Sequence, residues 1–324
     1  MTWPLPKFLL HGGRAPLPMS RIEGAKRINI RRKHFALSAP RQTTAQASNT
    51  RPAEFDFARA ASILTDAASL AGAAIMRHFH EAPEIELKSD SSPVTRADRD
   101  SEAIILDALA RLAPDVPVVS EESCGEAAGP LADRYFLVDP LDGTKEFIKK
   151  RSDFTVNIAL IERGCPRFGL VYAPARELLA LTTAEGEAFE AEMPPEPSSA
   201  SFERLRLKPL NARAAPKEGL TALVSLSHLD PDTEAFLAKL KIAERSAAGS
   251  SVKFIAIARG KADVYARFGP TMEWDTAAGQ AVLEAAGGRV VEAGGAPLRY
   301  GKTKSVLRNP SFIAWGLRDE SSPG

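Results

Sequence analysis

The sequence predicts an α/β (α+β) protein built from two mixed layers of strands and helices. Apolar strand-like runs alternate with amphipathic helical segments in both halves of the chain. Residues 192–201, rich in Pro and Ser, lie between the halves and are typical of a linker or a long surface loop. The length of 324 residues is enough for one large or two medium domains.

In the first half, apolar residues recur at helical spacing over residues 57–79, which predicts an amphipathic helix. A second helix is predicted over residues 99–112, and residues 144–150 can form a short one. Short apolar runs predict strands, of which the third and fourth flank Gly164 and predict a hairpin. The runs cover residues 116–119, 135–138, 154–161, 168–172 and 178–183.

The second half continues the alternation after residue 201. Strands are predicted over residues 222–226, 263–267 and 289–292. Helices are predicted over residues 232–240, 252–259 and 276–286, the last ending at Gly287. We therefore place an N-terminal subdomain with the metal and catalytic loops at residues 54–200. A C-terminal subdomain with the substrate contacts follows at residues 201–318.

Residues 1–53 differ from the rest of the chain in charge. Residues 1–50 contain nine Lys or Arg and one acid, a net charge of +8, whereas the whole chain carries +1. They lack steady periodicity, and we predict a basic, disordered extension. Three explanations are open: a mis-assigned start codon with Met19 or a later codon as the true start, a targeting sequence, or a tail that rests on anionic lipid.

Composition excludes several classes of protein. Two cysteines, Cys124 and Cys165, make neither a disulfide framework nor a multi-cysteine zinc site, which favours a reducing cytoplasm. A tail on anionic lipid would add peripheral contact with the inner face of the cell membrane. The net charge gives no global field for nucleic acid, and no apolar run approaches the roughly 20 residues that span a bilayer. The sequence leaves the oligomeric state open.

The strongest chemical signal is the motif Asp139-Pro140-Leu141-Asp142-Gly143-Thr144, which follows an apolar strand. A strand end holds its side chains with little freedom, so two carboxylates three residues apart can converge on one point. The Leu141 carbonyl between them can supply a third oxygen. Magnesium prefers such oxygen ligands, and backbone N–H groups at a helix start favour phosphate. Alone, the motif better suits an acidic turn in which Asp142 caps a helix.

Other acids also lie beside predicted element ends. Glu121 follows a strand, Asp98 precedes the second helix, and Asp275 precedes the helix at residues 276–286. Each alone suits a solvated loop charge or a helix cap. Together they indicate a cation site, because like charges a few ångströms apart repel without a counterion.

These segments resemble the inositol monophosphatase superfamily of lithium-sensitive phosphatases. The resemblance rests on VSEES (119–123), DPLDGTKEF (139–147) and EWDTAAGQAVLEAAGG (273–288), in that order, and extends from about residue 56 to 315. VTRADRDSE (94–102) and ARFGPT (266–271) favour its 3′(2′),5′-bisphosphate nucleotidase branch. The resemblance implies a layered αβαβα sandwich of the inositol monophosphatase and fructose-1,6-bisphosphatase type.

The resemblance also implies a ligand set for two or three Mg²⁺ ions. Glu121, Asp139 and the Leu141 carbonyl would hold one ion, and Asp139, Asp142 and Asp275 a second. Asp98 and the Thr144 hydroxyl would position the attacking water and take its proton. The residues implied to contact the substrate are Gly143, Thr144, Lys145, Ser225, His228, Ser250 and Lys253.

The implied reaction removes the 3′-phosphate of adenosine 3′,5′-bisphosphate, giving AMP and phosphate, a step of sulfur metabolism. Many relatives have arginine where this chain has Leu226, which weakens recognition of a second phosphate there, and Lys253 or Arg267 could compensate. An inositol, histidinol or sugar phosphatase is the nearest alternative, and a non-catalytic metal-dependent protein is another. A calcium-binding EF-hand is excluded because its ligand spacing is absent.

Overall fold

The computed structural model describes residues 55–81, 85–87, 93–124, 131–195, 202–225, 230–301 and 307–317. The chain divides into two units, Met1–Ala53 and Glu54–Gly324, and every residue described belongs to the second. The predicted extension at residues 1–53 lies outside the described residues, as does most of the predicted linker. No helix in the described ranges is both long and apolar enough to cross a membrane.

Two helices form the first layer. Helix α1, Phe57–His80, begins after Asp56, whose carboxylate accepts the Arg59 N–H at 2.9 Å, and it buries the predicted apolar face. The short antiparallel strands β1, Ile85–Leu87, and β2, Pro93–Thr95, follow. Helix α2, Arg96–Leu112, begins three residues earlier than predicted because Thr95 caps it.

A seven-stranded sheet forms the second layer, with its strands in sequence order. The first two strands are parallel and the remainder antiparallel. The predicted hairpin is confirmed between the third and fourth strands, where Arg163 and Gly164 both have positive φ. The strands are β3 Val118–Ser120, β4 Arg134–Asp142, β5 Thr155–Glu162, β6 Cys165–Ala173, β7 Leu178–Ala184, β8 Glu187–Glu192 and β9 Lys208–Pro209.

A five-stranded sheet occupies the other half, in the order β11-β10-β12-β14-β13. Its strands are β10 Leu220–Ser225, β11 Ile242–Ala248, β12 Val264–Arg267, β13 Arg289–Glu292 and β14 Phe312–Trp315. The helices of this half are α4 Pro231–Leu237, α5 Val252–Ala258 and α6 Ala277–Ala285, and the short helix α3, Thr144–Ile148, follows β4. The sequence did not indicate β1, β2, β8, β9, β11 or β14.

The side-chain alternation of the central strands defines the layers. In β4, Phe136 and Val138 pack toward α1 and α2, whereas Tyr135 and Leu137 pack toward α5, α6 and the five-stranded sheet. On the outer face of that second sheet, a separate cluster packs against α4 through Leu237. The layers therefore run α, β, α, β, α, which confirms the predicted αβαβα sandwich.

Helix α6 lies unusually close to the first sheet. A Cβ on Gly169 of β6 would lie 2.4 Å from the Ala278 carbonyl oxygen, so only glycine allows this approach. The turn that precedes α6 contacts β4 and β5. This packing brings the start of α6 against the end of β4, where the acidic motif lies.

Candidate active site

Strand β4 does not end at Val138, as the sequence predicted, but continues through the acidic motif to Asp142. Asp139 pairs with Asn157 and Asp142 pairs with Thr155, so two residues of β4 oppose one residue of β5. Such a bulge bends the strand, and Pro140 is tolerated there because a bulge leaves its residue without a ladder hydrogen bond. The bend is what brings both carboxylates to one side.

Three buried or half-buried carboxylates meet at this bend. Asp139, Asp142 and Asp275 each offer an oxygen within 4.8 Å of the others. Asp275 ends the 3-10 turn Glu273–Asp275, and its Oδ2 accepts the Met272 N–H at 2.8 Å. Its carboxylate therefore faces the cluster and does not cap α6, whose cap residue is Thr276.

The electrostatics of the cluster favour a bound cation. Burial, followed by the neighbouring carboxylates, raises the pKa of Asp139 and of Asp275 well above the usual range. Burial also raises the pKa of Asp142, against the hydrogen bond from Ser250 and the charge of Lys253. A divalent cation relieves this repulsion, and an all-oxygen donor set suits a hard ion such as Mg²⁺. The residues present therefore fit a metal site.

Glu121 lies near this cluster but is not one of the three carboxylates whose oxygens lie within 4.8 Å of one another. Its N–H donates to the Val138 carbonyl at 3.1 Å, which extends the pairing of β3 with β4 by one residue. Its charge is the second cause, after burial, of the raised pKa of Asp139. The predicted ligand Glu121 is thus brought to the cation site from a separate strand.

Asp98 and Thr144 form the second part of the site. The Thr144 Oγ1 lies 3.3 Å from Asp98 Oδ1 and 3.3 Å from the Leu141 carbonyl oxygen. The other Asp98 oxygen accepts the Thr95 N–H at 2.8 Å and the Thr95 hydroxyl at 2.6 Å, closing a capping box at the start of α2. Burial raises the pKa of Asp98 to about 6. The predicted pair is therefore formed.

A loop from the second sheet closes the site over Asp142. Ser250, with φ of 51°, donates its hydroxyl to Asp142 Oδ2 at 2.5 Å, and the Ser251 N–H donates to the same oxygen at 2.9 Å. The buried Lys253 ammonium donates to the Ser250 carbonyl at 2.7 Å and lies 4.9 Å from the Tyr265 ring. Burial lowers the pKa of Lys253 to about 8.

The site opens into a cavity of about 290 Å³, whose acidic wall is formed by Glu121, Asp142 and Asp275. Of the predicted substrate contacts, six line it: Gly143, Thr144, Lys145, Ser225, Ser250 and Lys253. His228 and Leu226 lie outside the described residues. The lining residues that the sequence missed include Phe254, Tyr265, Pro270 and Thr271. Arg267 also lines the cavity, and its place at the end of β12 is the kind of position from which a side chain reaches a site.

Comparison with known proteins decides the family. A sequence profile of the inositol monophosphatase family matches residues 56–320. The chain belongs to the inositol monophosphatase family. This family is metal-dependent, and the carboxylate cluster described above is where the chain can hold a metal.

Several members of the inositol monophosphatase family are similar in sequence to this chain over most of their own length. The 3′(2′),5′-bisphosphate nucleotidase CysQ of Escherichia coli (strain K12) is 43% identical over 245 residues, which are 75% of this chain and 94% of that protein. CysQ of Salmonella typhimurium is 42% identical over 251 residues, with the same two shares. The crystal structure of CysQ from Bacteroides thetaiotaomicron superposes with a TM-score of 0.65 at 38% identity, covering 82% of this chain and 99% of that one.

Proposed function

We propose that this protein is a Mg²⁺-dependent phosphomonoesterase that removes the 3′-phosphate of adenosine 3′,5′-bisphosphate, giving AMP and phosphate. The observation that carries the proposal is a single cavity that joins an acidic cation site to two buried cationic side chains, Lys253 and Arg267. The similarity to the CysQ nucleotidases supports the choice of substrate.

Glu121, Asp139, Asp142, Asp275 and the Leu141 carbonyl would hold two or three Mg²⁺ ions. When bound, Mg²⁺ polarises phosphate oxygens and lowers the pKa of water. The protein holds the Asp139 oxygens in a fixed position. Asp139 is 1% exposed, and the Leu141 N–H donates to its Oδ1 at 3.1 Å. Because this bond lies within the bulge, the carboxylate and the neighbouring carbonyl are held in one orientation.

Asp98 would accept a proton through Thr144. The Thr144 hydroxyl can donate to Asp98 Oδ1 while its oxygen accepts a hydrogen bond from water on the cavity side. The capping box holds the other Asp98 oxygen, so the carboxylate cannot rotate away from Thr144. A base held in this way contributes roughly 10²–10⁴-fold to a hydrolysis rate.

Ser250, Lys253 and Arg267 would bind the anionic substrate. Lys253 is fixed by its bond to the Ser250 carbonyl and by the Tyr265 ring. Arg267 donates to the Pro270 carbonyl at 3.2 Å, which holds its guanidinium at the cavity wall. Two cationic side chains in the cavity that also holds the acidic cluster favour a substrate with a second negative group over a monoester of a neutral polyol. This charge distribution favours the nucleotide over inositol or sugar phosphates.

The test is phosphate release from adenosine 3′,5′-bisphosphate, inositol 1-phosphate and histidinol phosphate, measured side by side with and without Mg²⁺. We expect Mg²⁺-dependent release, fastest from the nucleotide. A preference for another ester would overturn the substrate assignment and retain the metal site. No release from any of the three would overturn the proposal.

A further inference from the structure

A carboxylate outside the cavity ties its two walls together. Asp153 lies in the loop between α3 and β5 and is 5% exposed. One of its oxygens, Oδ2, accepts the buried Gly249 N–H at 3.1 Å. The other, Oδ1, pairs with the guanidinium of Arg176. Asp153 therefore joins the first sheet to the loop that covers Asp142.

Asp153 is also packed tightly against both walls of the cavity, at Gly143 and at Gly249. A Cβ on Gly143 would lie 2.7 Å from the Asp153 carbonyl oxygen, and a Cβ on Gly249 would lie 2.8 Å from the Asp153 Cβ. Contacts this short are possible only with glycine on both sides. A shift of Asp153 would therefore move Gly143 and Gly249 together.

Arg176 holds Asp153 from the side away from the cavity. It ends the 3-10 turn Pro174–Arg176, which connects β6 to β7, and its side chain is 39% exposed. Arg176 lines a separate surface cleft of about 340 Å³, and neither Arg176 nor Asp153 lines the cavity of the candidate active site. The ion pair with Asp153 therefore connects Arg176 to the wall of the cavity.

The loop that Asp153 holds adopts a conformation that needs support. Ser250 has φ of 51°, a region that non-glycine residues occupy at a cost. The Ser250 hydroxyl lies 2.5 Å from Asp142 Oδ2 and 2.5 Å from Thr155 Oγ1. If Gly249 moved, the hydroxyl would lose its place on Asp142, which belongs to the carboxylate cluster.

We propose that Asp153 and Arg176 form a positioning pair that holds the loop at residues 249–251 on Asp142 and so sets the affinity of the site for Mg²⁺ and substrate. Neither residue touches the reacting atoms. The proposal deepens the proposed function and rests on it for the reaction, but its effect on Mg²⁺ binding can be measured without any substrate.

The decisive variant is Arg176→Gln, which removes the cation and keeps a shorter, uncharged side chain that can still donate hydrogen bonds. We expect the Kd for Mg²⁺, measured by calorimetry on the full chain without substrate, to rise about 10–100-fold, as when groups that orient metal ligands are removed. The KM for adenosine 3′,5′-bisphosphate should rise, while kcat at saturating Mg²⁺ and nucleotide stays close to wild type. Arg176→Lys should restore part of both losses.

The structure offers a matched control in Arg259→Gln. Arg259 lines the same surface cleft but pairs with Glu190, with Nε 2.6 Å from Oε2, whereas Arg176 pairs with Asp153. The variant Arg259→Gln should leave the Kd for Mg²⁺ and the KM unchanged.

The variant Asp153→Asn tests the pair from the other side, since its amide oxygen can still accept the Gly249 N–H. Combined with Arg176→Gln, it should add little further loss.

The outcomes separate the two proposals. Equal Kd and KM values for Arg176→Gln and Arg259→Gln would overturn the positioning role, even if Arg176→Gln lowered the melting temperature. Wild-type protein that binds Mg²⁺ but leaves the nucleotide intact would overturn the substrate assignment, and the Mg²⁺ titrations would still decide the positioning role. Wild-type protein that binds no Mg²⁺ would overturn both.

Discussion

The substitution Asp98→Asn reverses one hydrogen bond and leaves the fold in place. The amide oxygen can take the position of Asp98 Oδ2 and accept both bonds from Thr95, which preserves the capping box. The amide nitrogen then faces Thr144 Oγ1 in place of an acceptor oxygen. Because an amide donates there, Thr144 can no longer pass a proton to residue 98.

The size of the effect follows from the role of a general base. We expect kcat to fall roughly 10²–10⁴-fold, equivalent to about 3–5 kcal/mol of barrier. Burial raises the pKa of Asp98 from 3.8 to about 6, and only the carboxylate can accept a proton. Wild-type activity should therefore rise with pH, reach half of its maximum near pH 6 and level off above about pH 7. At pH 5 only about a tenth of Asp98 is ionised and active.

The assay is phosphate release at saturating Mg²⁺ between pH 4.5 and 8, with thermal unfolding followed by circular dichroism. The variant should lose the rise in rate near pH 6. Its melting temperature should hold or increase, because the substitution removes a buried charge. Asp100→Asn is the control, since Asp100 lies on the same helix and contacts His78 at 2.8 Å, away from the cavity.

Two results would refute the reasoning. A rate for Asp98→Asn within a few-fold of wild type would show that Asp98 is not the base. A large loss of rate with an unchanged rise near pH 6 would assign that titration to a different group, and the role of Asp98 would then be structural.

Three further predictions concern the cation site and its walls. Glu121→Gln should weaken Mg²⁺ activation about 10–100-fold with little change in unfolding, and an unchanged Mg²⁺ dependence of the rate would argue against Glu121 as a ligand. Asp275→Asn should raise the melting temperature in chelator, because it removes charge repulsion at a buried group, and should lose the stabilisation by Mg²⁺. Gly143→Ala should cost at least about 1–2 kcal/mol in urea unfolding, because Gly143 has φ of 92° and an added Cβ would lie 2.7 Å from a carbonyl oxygen. If Gly143→Ala were as stable as the wild type, the expected strain from a Cβ at residue 143 would be contradicted.

Much of the fold was readable from apolar periodicity, and strand β11 shows how a strand can escape that reading. Strand β11, Ile242–Ala248, is mostly exposed and includes Glu244, Arg245 and Ser246, which gives no apolar pattern. It forms because β10 offers it a parallel edge, and that partner is distant in the sequence. Helix α2 was placed too late because the role of Thr95 as its cap depends on the Asp98 side chain.

The site was partly predictable for a different reason. Carboxylates beside predicted strand and helix ends indicated a cation site, and the resemblance to a known family gave their roles. The bulge in β4 could not be anticipated, because it depends on the register against β5. The contribution of Tyr265 and Pro270 to the cavity also depends on the second sheet, since neither belongs to an acidic motif.

By itself, the sequence determined the chemistry that this protein can perform and the order of its elements. Hard oxygen donors at Asp139 and Asp142, three residues apart, suit a magnesium ion in any fold that turns them to one side. The tertiary structure alone decided which groups act together. Thr144 meets Asp98 across 46 residues, and Ser250 meets Asp142 across 108. Burial, which raises the pKa of Asp98 to about 6, exists only after the layers have packed, because desolvation depends on everything that surrounds a group.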